Sequence, residues 1–250
     1  MAHPKLWIGT SGWVYKHWMG IFYPDKMAGS EQLAFYAQHF STVEINYSYY
    51  RLPEKSSFEN WNYETPAGFL FAVKASRYLT HMKKLKDPKE PLSRLMNRAV
   101  GLENKLGPIL FQFPRTWQVD LERLESFTEA LKSYHRCRWA FEFRHESWLC
   151  PETYRLLEKV GAALCIPIHP DMPREEILTV PWSYLRFHTG QDGIGFSDGE
   201  LKEWAKRIKE FMRKDADVYA YFNNDPQGHA LRDAEKLRGM LGQDFEPSPS

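Results

Sequence analysis

Eight short runs rich in β-branched and aromatic residues recur along the chain, and most intervals between them carry a helical pattern. The runs are Leu6 to Trp13, Val43 to Tyr50, Phe69 to Ala75, Ile109 to Pro114, Trp139 to Arg144, Ala163 to Ile168, Tyr184 to His188 and Val218 to Asn223. Amphipathic segments lie between them at Ser30 to Phe40, Pro91 to Leu106, Leu121 to Tyr134, Pro151 to Val160, Asp198 to Met212 and Gln227 to Leu241, with Ser30 placed as a cap. Ser56 to Glu64 supports a short helix. The proline-rich stretch His169 to Pro181 reads as loop, with at most a turn or two near Glu175. Strand-then-helix alternation over eight units predicts an α/β fold, a single TIM-type (β/α)8 barrel with a closed parallel sheet. A doubly wound open sheet would instead place a glycine-rich phosphate loop after its first strand, and Gly9-Thr10-Ser11-Gly12-Trp13 is not G-x-G-x-x-G. One barrel domain is expected over residues 1–245, with 246–250 a disordered tail.

Composition narrows the function. Hydrophobic residues at 43% and charged residues at 26% are those of a soluble globular chain and exclude disordered or fibrous classes. A net charge of +1 excludes a basic surface that holds long stretches of nucleic acid, leaving room for a local charged pocket. Cys137, Cys150 and Cys165 are odd in number and form no C-x-x-C pair, which fits a reducing compartment. No signal-like or spanning apolar stretch is present, so a cytoplasmic protein without membrane contact is expected.

Strand periodicity assigns each residue to the helix-facing or the barrel-facing side. Val43 and Ile45, Phe111 and Phe113, Phe141 and Phe143, and Leu185 and Phe187 form the apolar outer phase. The inner phase turns polar near the C-terminal ends of the strands, where barrel enzymes keep their sites. Glu44, Asn46, Lys74, Gln112, Glu142, Arg144, Arg186, His188 and Asn223 are therefore predicted to converge there, joined from loops by Ser11, His145, Asn224 and Asp225. Buried charge costs several kcal/mol unless paired, so such a network is read as a functional site. Glu44, Glu142 and His188 are the candidate catalytic groups. Ser11, Asn46, Lys74, Gln112, Arg144, Arg186, Asn223 and Asn224 are the candidate anion contacts.

Three cations against two glutamates favour a phosphate- or carboxylate-bearing substrate. Glu142 shares its face with Arg144 and is expected to stay ionised, whereas Glu44 has only neutral Asn46 there and is the expected proton donor or base. Trp13, Trp18, Trp148 and Tyr221 are candidates for an aromatic lid. His17, His81, His169 and His229 are read as surface or loop residues. His188, Glu142, Glu44 and Asp225 could be written as a metal set, but interleaved cations disfavour it, so no metal or cofactor is predicted.

The blocks Ile8-Gly-Thr-Ser-Gly-Trp13, Val43-Glu-Ile-Asn46, Phe71-Ala-Val-Lys-Ala-Ser76, Leu106-Gly-Pro-Ile-Leu-Phe-Gln-Phe-Pro114, Phe141-Glu-Phe-Arg-His145, Leu185-Arg-Phe-His188 and Tyr219-Ala-Tyr-Phe-Asn-Asn-Asp225 together resemble the YecE-like family, domain of unknown function 72. The resemblance runs in order from about residue 6 to 241 and departs from the family pattern at Tyr47 to Tyr50 and in the loop His169 to Arg174. It implies a single (β/α)8 barrel and carries no reaction with it. The leading functional expectation is an enzyme that uses acid/base or hydrolytic chemistry on a small anionic substrate. The alternatives are a metal-dependent phosphodiesterase or endonuclease and a non-catalytic sensor of a phosphorylated metabolite, with nucleic acid a less favoured partner than a small molecule.

Overall fold

A computed structural model describes residues 4–242; the expected tail 246–250 lies outside them. Eight strands, β1 (Leu6–Thr10), β2 (Thr42–Ile45), β3 (Leu70–Lys74), β4 (Leu106–Gln112), β5 (Trp139–Glu142), β6 (Ala162–Ile168), β7 (Trp182–Phe187) and β8 (Asp217–Phe222), form one parallel sheet in the order β1-β8-β7-β6-β5-β4-β3-β2. This is the expected TIM-type barrel. Its helices are α1 (Gln32–Tyr36), α2 (Tyr47–Tyr50), α3 (Lys55–Glu64), α4 (Lys89–Ala99), α5 (Leu121–Leu131), α6 (Pro151–Val160), α7 (Asp198–Arg213) and α8 (His229–Leu241). β6 and β7 are joined by irregular chain, as the prolines of that stretch require.

The ring of hydrogen bonds is nearly closed, with a seam between β1 and β2. There the strands meet through a single parallel bridge, Ser11 to Glu44, with Gly12 N–H donating to the Glu44 carbonyl at 2.8 Å. Deeper in the seam the buried Tyr36 hydroxyl accepts from Thr10 N–H at 3.0 Å and donates to the Thr42 carbonyl at 3.1 Å. A side chain of α1 thus satisfies backbone groups that no neighbouring strand reaches. Gly9 is obligatory at this point, because a Cβ there would collide with the Thr42 carbonyl oxygen.

Two apolar clusters follow the predicted phases. The outer one lies between sheet and helices and includes Val43, Ile45, Phe111, Phe141, Leu185 and Phe187. The inner one fills the barrel with Trp7, Ala72, Leu110, Ala140, Cys165, Trp182, Tyr184, Tyr219 and Tyr221. The interior is therefore packed from the N-terminal end upward, and Glu44, Glu142 and Arg186 are buried toward its C-terminal end.

Element ends shift where backbone chemistry overrides side-chain pattern. β2 stops at Ile45 instead of running to Tyr50, and Asn46 adopts helical angles at the N-terminus of α2, without a side-chain capping hydrogen bond. Ser30 is not a cap, since Glu31 precedes the first helical residue. α7 starts with a full capping box, in which Ser197 and Glu200 satisfy each other's backbone N–H. Among the described residues no helix is long and apolar enough to cross a membrane.

Candidate active site

The inner phases of β2, β5 and β7 deliver Glu44, Glu142 and Arg186 to one buried layer at the C-terminal end of the barrel. Glu44 and Glu142 are fully buried and Arg186 is 1% exposed. Arg186 faces Glu44 with its planar fork, Nε to Oε2 at 3.0 Å and Nη2 to Oε1 at 2.8 Å, while Nη1 donates to Glu142 Oε2 at 2.6 Å. The other Glu142 oxygen accepts from Arg144 Nε at 2.6 Å. Tyr184 donates to Glu44 Oε2 at 2.7 Å, and Ser11 Oγ donates to Oε1. Glu44 thus accepts four hydrogen bonds and has no oxygen left for a proton.

Burial pushes the Glu44 carboxyl up, but Arg186 and Lys74 outweigh it and hold it below its ordinary range. Glu142 is likewise pushed up by burial and drawn well below by Arg186 and Arg144. Both carboxylates face each other across Arg186 and both are ionised. The four hydrogen bonds speak against Glu44 as the expected proton donor, and leave its expected alternative role as a base untouched. Its neighbour along the strand, Asn46, is neutral, but its partner across the barrel is a guanidinium.

Two carboxylates against Arg186 and Arg144 balance, which leaves Lys74 as surplus charge. Lys74 ends β3 and is 8% exposed. Among the described residues its Nζ has no hydrogen bond and no carboxylate partner, and it sits 4.2 Å from the centroid of the Tyr49 ring. α2 supplies that ring: Ser48 Oγ donates to the Lys74 carbonyl at 2.6 Å and docks the short helix over the end of β3. Burial lowers the Lys74 ammonium to about 7, repulsion from Arg186 and Arg144 adds to this, and Glu44 and Glu142 oppose it.

Around Lys74 runs a polar chain. Tyr49 hydroxyl lies 3.1 Å and Gln112 Nε2 3.5 Å from His81 Nε2, with Thr80 Oγ1 2.9 Å from His81 Nδ1. Thr80 spends its own proton on the Ser76 carbonyl at 3.2 Å, so His81 carries its proton on Nδ1 and accepts at Nε2. Burial lowers His81 to about 4, helped by Lys74, Arg144 and Arg77, and keeps it neutral. On the opposite side Asn223 Nδ2 lies 2.8 Å from His188 Nδ1. The His188 proton is then on Nε2, which lies 3.6 Å from Glu142 Oε2 and has no hydrogen-bond partner among the described residues. Burial lowers His188 to about 4 against the pull of Glu142.

The structure thus brings Ser11, Glu44, Lys74, Gln112, Glu142, Arg144, Arg186, His188 and Asn223 into one constellation. Asn46 lies to the side, its Oδ1 buried without a partner, on an adjoining cleft of about 600 Å³ lined also by Gly12, Trp13, Tyr15, Tyr50 and Trp61. Asn224 turns away and donates to Asp233 Oδ2 of α8 at 2.7 Å. Of the expected aromatic lid only Trp13 borders an opening. Trp18 is buried and donates to Asp225 Oδ1 at 2.7 Å, Trp148 stacks on Phe143 at 4.5 Å in the outer core, and Tyr221 fills the barrel against Thr42. These three bury too much apolar surface to stand over the mouth.

His145 caps the following turn by accepting from Ser147 N–H, and Asp225 is held by Trp18 and by His17 at 2.8 Å. Asp225 is thereby drawn away from the two glutamates, and among the described residues no group of three or more His, Cys, Asp or Glu is arranged to hold a metal ion. Tyr49, His81 and Tyr184 were missed by the sequence reading. Tyr184 carried a usable signal, since it shares the inward phase of Arg186; Tyr49 and His81 sit on a short helix and a π-helical turn, where no period of two applies.

Comparison with known proteins agrees with this fold. A family model described as "Protein of unknown function DUF72" matches residues 7–250. The UPF0759 protein YunF of Bacillus subtilis is 25% identical over 274 residues, covering 96% of each chain. A DUF72 family protein of Thermotoga maritima with a solved structure is 31% identical, with a TM-score of 0.82 over 95% of this chain and 99% of that one. Another, from Enterococcus faecalis, shares the fold at 19% identity, with a TM-score of 0.76 over 97% and 98% of the two chains.

Proposed function

The chain belongs to the DUF72 family, and on that premise we propose that the barrel mouth is the active site of an enzyme acting by proton transfer on a small phosphate- or carboxylate-bearing substrate. Lys74, and neither glutamate, is the group that gains and loses a proton there. The observation that carries this reading is the buried ammonium of Lys74 with no carboxylate of its own among the described residues, beside a network whose other charges are already matched. A cation left over at the mouth of a barrel is a counter-charge waiting for an anion.

In this reading the Glu44, Arg186 and Glu142 group is a rigid electrostatic frame. It tunes Lys74 from both sides, because Arg186 disfavours the ammonium and the carboxylates favour it. Arg144 spends only Nε on Glu142, so its outer nitrogens can fork onto an anionic oxygen together with Lys74. Gln112, His188 and Asn223 orient polar groups of the substrate. The cleft beside Trp13 and Tyr50 takes its ring or apolar part. A metal-dependent phosphodiesterase is less well supported, since every oxygen of Glu44 and Glu142 already accepts from a guanidinium or hydroxyl. A sensor would need the cations but no amine titrating near neutrality.

Thermal melting with inorganic phosphate tests the anion site. Millimolar phosphate should raise the Tm of the wild-type chain through binding to the folded state alone, and the rise should vanish in Lys74→Met and Arg144→Met. No rise in the wild type, or an equal rise in both variants, overturns the reading.

A further inference from the structure

We infer that Lys74 acts as an amine nucleophile on a carbonyl group, so that the substrate is an aldehyde or ketone that also carries phosphate or carboxylate. This rests on the anion-binding reading above and goes beyond it by naming the bond that forms. An amine can attack only when its lone pair is free. Among the described residues Lys74 Nζ has no acceptor to hold it as ammonium; it lies among neighbouring cations and is buried at 8% exposure.

The same surroundings suit the product. An iminium at Nζ would carry a positive charge over the Tyr49 ring, now 4.2 Å from Nζ, and within the field of Glu44 and Glu142. In the step, the nitrogen lone pair adds to the carbonyl carbon as the C=O π pair moves to oxygen, and the nitrogen's proton passes to that oxygen. A second proton from solvent lets the C–O bond break with loss of water while the nitrogen lone pair forms C=N. The sum is amine plus carbonyl plus proton giving iminium plus water, with no change of oxidation state. The Tyr49 hydroxyl proton is engaged by Nε2 of neutral His81, so that second proton is supplied by solvent.

Reductive trapping tests this. The full-length protein is incubated at pH 7.5 with sodium cyanoborohydride and, in separate arms, dihydroxyacetone phosphate, pyruvate or uncharged dihydroxyacetone, and labelled lysines are identified by peptide mass. Lys74 should be labelled at least about tenfold faster than the average lysine by one of the anionic probes, and more slowly by the neutral one. Lys74→Met, confirmed folded by circular dichroism, should lose that label and keep the surface background. A parallel arm uses N-hydroxysuccinimide acetate with and without phosphate. Fast, phosphate-protected acetylation of Lys74 without reductive labelling overturns the carbonyl chemistry and leaves the anion site standing. Slow acetylation that phosphate does not affect removes both.

Discussion

The two ends of the barrel solve the same problem differently. At the N-terminal end Arg138 donates to Asp217 at 2.7 Å and to the Tyr219 hydroxyl at 2.6 Å, and its guanidinium lies 5.5 and 5.6 Å from the centroids of the Tyr219 and Trp182 rings. Trp7 stacks on Tyr219 at 4.5 Å, and the Lys5 N–H takes the other Asp217 oxygen. One cation meets one anion, the side chains are 41% and 20% exposed, and water shares the load. At the C-terminal end Glu44, Glu142 and Arg186 are dry, Arg144 alone of the paired charges reaches water, and Lys74 has no carboxylate partner among the described residues. Of the eight buried side-chain polar atoms without a partner among the described residues, five belong to Asn46, His188, Thr189, Asn223 and Asn224, which follow or end strands at that mouth. The lower end is built to close the barrel. The upper end leaves these groups without partners at a cost in stability, as the proposed site would require.

The largest effect should come from breaking the upper network. Arg186→Met strands two buried carboxylates and should cost about 3–5 kcal/mol, or roughly 10 °C in Tm for a chain of this size. Glu44 and Glu142 have folded-state pKa values below their unfolded ones, so their contribution is present above the unfolded carboxylate range and is lost as pH falls through the folded values. The gap between wild type and variant should therefore be widest above about pH 5 and narrow toward pH 3. A pH-independent gap would mean that packing, not charge, carries the loss.

Lys74→Met should move stability the other way. A lysine lowered to about 7 in the folded state binds fewer protons there than in the unfolded chain between about pH 7 and its ordinary value, so the wild type bears a burial penalty that is full below pH 7 and fades above it. The variant should gain on the order of 3 kcal/mol at pH 6 in denaturant titrations, with the gain shrinking toward pH 10. Equal stability at pH 6 would place Lys74 in water. At the lower end Arg138→Ala should cost only about 1 kcal/mol, because its ion pair is half exposed. A loss as large as that of Arg186→Met would erase the contrast between the ends.

What the sequence made legible follows the reach of strand periodicity. The alternation of eight strands with helices, the apolar outer phase and the inward charges Glu44, Lys74, Glu142, Arg144 and Arg186 all obey a period of two. Legibility failed where the chain leaves a strand. A period of two puts Asn46 on the inward face of β2, whereas the strand has ended by then and Asn46 opens α2, the helix that brings Tyr49 to Lys74. His81 reads as a surface or loop histidine because it lies seven residues beyond Lys74 on a turn with no period. The protonation of Glu44 was misread for a different reason: neighbours along a strand are visible in sequence, whereas Arg186, 142 residues away, becomes a neighbour only when the barrel closes.

Lys74 is the group expected to titrate near neutrality. The direct measurement is a pH titration of the Lys74 side chain by carbon-detected NMR of selectively labelled lysine, assigned through Lys74→Met. A midpoint near pH 7 for this one resonance, rising when phosphate is added, is the expected result. A midpoint in the ordinary lysine range, about 10, with or without phosphate, would contradict it.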